Sequence, residues 1–404
     1  MKFFTQSGLS KRTLLTLFVL KIFVLIIGCY LNVFYLLVSD SVTFHNMGVE
    51  EFHILFQNPH EYFTNIYHSY SAEQYSRLLD TSRSFWNDLR SNLIAKMLSL
   101  FDIFSFKSFL INTLFFNFLV FFGLVALYRV FIKIFPGSFI QLILCIFVLP
   151  SALFFSSMIH RDGLILLSIG MAIYHSYFMM EDQQYTPRKI GLVVFFLLVI
   201  FLLRNFVFIT LIPALGAWLL ARKFPRHAFL SFVGVYVLVT ILFFTSGYIS
   251  PRTSLPQYVS SRQLSFIEVG KLGNSTIPIN TLDPNFKSFL NNLPQAFNHS
   301  LMRPYLSEIV SVEYAPFALE IFIIQVLFFI FLFYHKKKII INPLIYFGVF
   351  FSMTMLLVTG YTVPIIGAIV RYRSIYLIFL LIPILCYTDW QKIRTILNIN
   401  KNII

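Results

Sequence analysis

Leu14–Val38 reads LLTLFVLKIFVLIIGCYLNVFYLLV, an apolar run of 25 residues. A helix rises about 1.5 Å per residue and needs roughly 20 apolar residues to cross a bilayer. The run is therefore long enough to span. It exceeds the apolar core of a cleavable leader and ends without a small-residue cleavage site, which predicts a signal anchor.

Nine further apolar segments follow, near 108–132, 138–158, 163–180, 190–203, 206–221, 228–247, 315–334, 343–359 and 364–387. Basic or Pro/Gly punctuation separates them, as at Pro136-Gly137, Pro187-Arg188-Lys189 and Arg222-Lys223-Phe224-Pro225-Arg226. Hydrophobic residues fill 58% of the 404 positions and charged residues 12%, with mean hydropathy +0.78. A soluble domain carries about 25% charge, so soluble classes are excluded. The expected fold is all-α: one integral membrane domain over 1–404, a polytopic bundle of about 10 transmembrane helices. Cys29, Cys145 and Cys386 all lie in apolar runs without CxxC spacing and read as small buried hydrophobes.

A net charge of +14 first suggests nucleic acid, but its distribution does not. With the N-terminus inside, the cytoplasmic segments hold 16 of the 31 Lys and Arg residues and only three of the 17 acids: Glu181, Asp182 and Asp389. The basic excess is thus a positive-inside topology signal. It predicts cytoplasmic N- and C-termini and no nucleic-acid partner. Residues 190–221 would make about 48 Å of helix, too long for one straight crossing, so two short helices meeting at Arg204-Asn205 are expected.

Two long outer loops remain, 39–107 and 248–314. The first carries Glu50-Glu51-Phe52-His53-Ile54-Leu55-Phe56 and Phe85-Trp86-Asn87-Asp88-Leu89-Arg90, whose mixed spacing fits amphipathic helices on the outer membrane surface. The second is rich in Pro, Asn and Ser and predicts a partly irregular cap.

Charges within or beside apolar spans are costly and point to function. Asp40 follows the first span; partial desolvation there would raise its pKa and suit it to take a proton from a sugar hydroxyl. The string Ser39-Asp40-Ser41 is equally good helix-capping chemistry. His160-Arg161-Asp162 joins two spans: Arg161 suits a phosphate oxygen, and Asp162 can orient it, hold a divalent metal or cap the next helix. Arg204 reads as a ligand group or as a side chain snorkelling to the interface. Arg371 and Arg373 are two apart and do not share a helix face, so at most one is expected to enter a site, with Arg371 the deeper. Their possible counter-ions are Asp40, Asp162, Glu320 or a ligand phosphate. Arg303-Pro304-Tyr305 with Glu308 or Glu313 is a candidate to close the site from the second loop. His45, His53, His60 and His68 lack metal-ligand spacing, and no P-loop, GxGxxG or nucleophile elbow occurs.

Three elements together resemble multi-pass membrane proteins of bacterial polysaccharide loci and the GT-C glycosyltransferase superfamily. They are Asp40 after the first span, the Leu149-Pro150-Ser151…Ser156-Ser157-Met158-Ile159-His160-Arg161-Asp162-Gly163 block, and Gly367-Ala368-Ile369-Val370-Arg371-Tyr372-Arg373-Ser374. The usual block has Trp at Phe155, and a small residue and Lys at His160-Arg161. The resemblance implies a polyprenyl-phosphate-linked sugar donor in the outer leaflet of a bacterial cytoplasmic membrane and a glycan or lipid acceptor. Asp40 would be the catalytic base, with Glu50 and Glu51 in reserve. His160, Arg161, Asp162, Arg204, Arg303, Arg371 and Arg373 would hold the lipid phosphate. No cofactor is implied beyond an optional divalent metal. A repeat-unit polymerase or ligase would use the same arginines. A lipid-linked glycan flippase fits less well, because no internal repeat is visible. A non-catalytic scaffold would tolerate loss of Asp40.

Overall fold

The computed structural model describes residues 2–35, 39–67, 85–249, 254–271, 275–309, 312–337 and 340–396. Among them the chain is helical, with only two isolated bridges, Thr276 to Ile365 and His335 to Thr388, in place of a sheet. The main helices are α1 (Lys11–Phe34), α2 (Asp40–Gln57), α3 (Phe85–Ser105), α4 (Phe109–Ile134), α5 (Phe139–Ile143), α6 (Pro150–Ser157), α7 (Arg161–Glu181), α8 (Pro187–Leu203), α9 (Asn205–Lys223), α10 (Ala228–Ile249), α11 (Leu255–Gly270), α12 (Phe286–Phe297), α13 (Ala315–Phe333), α14 (Pro343–Thr362) and α15 (Ile366–Tyr387).

Eight helices among the described residues are long and apolar enough to cross a membrane, and a ninth segment, Phe139–Val148 with Pro150–Ser157, is bent by 48°. The bend falls at Leu149, whose extended ψ of 114° is what a following proline imposes. Over the described residues each of the ten apolar segments is mostly helix. The segment 190–203 lies in α8, which has 17 residues. Helix ends follow local chemistry: Ser10, Thr186, Asn285 and Asn342 each accept a backbone N–H in the first turn, and prolines open α8 and α14. The break expected between 190 and 221 is at Arg204, whose φ of −149° and ψ of 88° leave the helix.

The chain forms two compact units. The first comprises Met1–Lys133 and Ala152–Ile209. In it α2 packs along α3, and α8 along α7. Gly123 of α4 and Gly170 of α7 let two backbones approach: a Cβ on Gly170 would lie 2.4 Å from the Gly123 carbonyl oxygen. Gly28 of α1 makes room for Met158, which joins Leu25 and Cys29 in a buried cluster.

The second unit comprises Ile134–Ser151 and Thr210–Ile404. Here α14 packs on α15, α11 and α12, and α13 on α15. Gly360 accepts the backbone of Ala296 at a distance no side chain would permit. The second long loop is more regular than its composition suggests, since α11 and α12 occupy much of it. Gln263 ties them down, donating to the carbonyls of Asn280 and Tyr361 and accepting from the Leu282 amide.

Candidate functional site

The first unit gathers the turn between α6 and α7 with the start of α2. His160 is extended and precedes α7, so Arg161 and Asp162 open that helix. A carboxylate there is favoured by the helix dipole. Asp162 lies 2.8 Å from Arg204 Nη2 with one oxygen and accepts from it with the other at 3.1 Å. Both residues are buried. Arg204 therefore does not snorkel; it is matched by an acid 42 residues earlier, and Asp162 serves Arg204 where the sequence suggested Arg161.

Arg161 is half-buried, donating to Ser91 Oγ at 2.9 Å and resting over the Phe44 ring at 5.1 Å. His160 Nε2 lies 3.4 Å from Ser41 Oγ. Ser41 and Phe44 belong to α2, whose first turn contains Asp40. The acid and the His160-Arg161 turn are thus brought to neighbouring positions. Asp40 itself is exposed, so the protein does not bury it as the desolvation argument expected.

Glu50 is exposed, whereas Glu51 is buried and bound. Lys96 Nζ reaches it at 2.5 Å, Asn65 donates to it, and the same ammonium lies 3.6 Å above the Tyr62 ring. Glu51 therefore joins α2 to α3. Nearby, Asn112 donates to Asp102 at 2.7 Å and lies 3.2 Å from His45 Nδ1. Burial holds the His45 pKa below its ordinary value, partly offset by Asp102.

One residue of this unit was hidden in the sequence. Lys21, inside the first apolar run, is 0% exposed and donates to Ser156 Oγ at 2.8 Å and Ser157 Oγ at 3.1 Å. Its signal was a single charge in an otherwise apolar span.

The remaining arginines belong to the second unit. Arg373 is the enclosed one, at 0% exposed, and Arg371 is half-buried, the reverse of the expected depth. Residues two apart are about 200° apart around a helix, and α13 and the wide turn Asn298–Met302 pack on α15 to cover one of them. Arg373 donates to the carbonyls of Ser300 and Arg303 and is attracted to Glu320. Glu320 accepts from the Ser151 amide at 2.6 Å and its hydroxyl at 2.7 Å. Arg371 lies over Tyr372 at 5.1 Å. Arg303 pairs with Glu308 at 3.3 Å. His299 is buried, and burial followed by the charge of Arg303 pushes its pKa down to about 4.

Among the described residues no three His, Cys, Asp or Glu side chains converge as a metal site; His68 lies outside those residues. No family model matches this chain, and no curated protein or solved structure matches it either.

Proposed function

We propose that the protein is a membrane glycosyltransferase of the GT-C kind, acting on a polyprenyl-phosphate-linked sugar at the outer face of a bacterial cytoplasmic membrane. In this reading the chain crosses the membrane ten times and keeps both termini inside. The observation that carries it is the contact of Ser41 with His160, which sets Asp40 beside a turn bearing Arg161. A displacement at an anomeric carbon needs both: a carboxylate to accept the acceptor hydroxyl's proton, and a cation for the departing phosphate.

The exposure of Asp40 suits a group that must meet substrate. The hydroxyl oxygen attacks the anomeric carbon as its proton passes to Asp40, and the sugar–phosphate bond breaks with its electrons leaving on the phosphate. Arg161 donates to that phosphate, while Arg204 and Asp162 hold its helix start. His160 lines the same turn. In the second unit Arg373, offset by Glu320, is an architectural charge.

The test compares Asp40→Asn and Arg161→Ala at matched membrane levels, reading lipid-linked glycans and surface polysaccharide. A truncated repeat unit supports the transferase. Accumulated single repeats point to the polymerase instead, and unchanged glycans in both variants remove the enzymatic reading.

A further inference from the structure

Lys21 stands ten residues into α1, about 15 Å beyond Lys11 along the axis. Among the described residues no carboxylate lies within ion-pair distance of its ammonium; the partners are two hydroxyls. Those hydroxyls donate onward to the Leu153 carbonyl, Ser157 at 2.7 Å and Ser156 at 3.4 Å. The buried charge is therefore linked through a short hydrogen-bonded chain to the negative end of α6, where a cation is favoured.

The same face of α1 continues one and two turns on. Leu25 packs in the cluster that holds Met158, and Gly28 is the surface against which Met158 sits. Residues 156 and 157 are thus held by Lys21, and residue 158 packs against Leu25 and Gly28. His160 and Arg161 follow within three residues. Lys21, Ser156 and Ser157 are themselves sealed from solvent, which argues against a nucleophile and its base.

We infer that Lys21 is a positioning residue: by fixing the end of α6 it sets where Arg161 presents its guanidinium to an anionic phosphate. The inference rests on the proposed function, since it assigns Arg161 to the phosphate.

The test uses the purified full-length chain in detergent micelles, with farnesyl phosphate as probe and calorimetric titration as readout. Arg161→Ala provides the reference loss. Lys21→Met is expected to weaken binding about tenfold at full stoichiometry, the scale of one charge-assisted hydrogen bond. Lys21→Arg, which keeps the charge and the donors, is expected to restore most of it. A purely structural role would instead lower the number of binding-competent molecules and leave Kd unchanged in the rest. That result, or wild-type affinity in Lys21→Met alongside a weakened Arg161→Ala, overturns the inference. Absence of binding by the wild-type chain overturns the proposed phosphate site itself. Should Lys21→Met not fold, Ser156→Ala with Ser157→Ala removes the acceptors while keeping Lys21, and its Kd decides the matter by the same criteria.

Discussion

Arg204 lies 2.8 Å from Asp162, with side chains 8% and 3% exposed, and the pair joins the break after α8 to the first turn of α7. Removing one partner of a buried pair leaves an uncompensated charge and costs roughly 3–5 kcal/mol, whereas replacing both by apolar residues can be nearly neutral. Asp162→Leu and Arg204→Leu are each expected to lose stability on that scale. The double variant should lose much less than the sum. Unfolding in mixed SDS micelles measures all three; additive losses would show that the two residues do not act as a pair.

Glu51 and Lys96 offer a different outcome, because their pairing joins α2 to α3 about three turns along α2 from Asp40. Lys96→Met leaves a buried carboxylate with only Asn65 as donor. It is expected to destabilise by about 3 kcal/mol, the lower end of the range for a buried pair that loses one partner. Limited proteolysis should then cut within 40–67 sooner than in the wild type, while the glycan transfer that the proposed function assigns stays near normal per folded molecule. A transfer defect larger than the folding defect would return Glu51 to the candidate bases.

The helices were legible because apolar length is a strong, local signal. Over the described residues each of the ten segments is mostly helix, and even the break at Arg204 followed from a run too long for one crossing. The candidate site was legible only as residue types. Lys21 was lost because one charge among two dozen apolar residues barely alters a run's average, and its serine partners lie 135 and 136 positions away. The order of Arg371 and Arg373 was inverted because burial depends on which neighbours cover α15, and a sequence gives spacing around a helix but not its rotation. Glu320 was readable as an arginine's counter-charge, since acids in that span are few. Its anchoring by Ser151 was not.

His299 predicts an acid-side loss of stability. Its folded pKa is pushed from 6.5 down to about 4, mainly by burial and further by Arg303. The folded state therefore binds fewer protons than the unfolded state between those values. The contribution is fully present above about pH 6.5 and is lost as pH falls toward about 4. His299→Gln should flatten the stability curve in that window when unfolding is followed at several pH values. An unchanged slope would assign the acid sensitivity to other groups.

Glycine substitutions separate close packing from mere composition. Gly170 faces the Gly123 carbonyl, and a Cβ would fall 2.4 Å from that oxygen; a Cβ on Gly123 would fall 2.4 Å from the Leu167 Cα. Both obstacles are backbone, so relief requires α4 and α7 to move apart. Such overpacking typically costs about 1–3 kcal/mol. Gly191 on α8 has nothing within 4 Å of its would-be Cβ. Alanine there adds no clash and removes glycine's conformational freedom, worth up to about 1 kcal/mol in a helix. Gly123→Ala and Gly170→Ala are expected to lower the melting transition of the purified protein, and Gly191→Ala to hold or raise it. Gly123→Ala and Gly170→Ala should also show less than additive loss when combined, because the first substitution already separates the helices that the second would push apart.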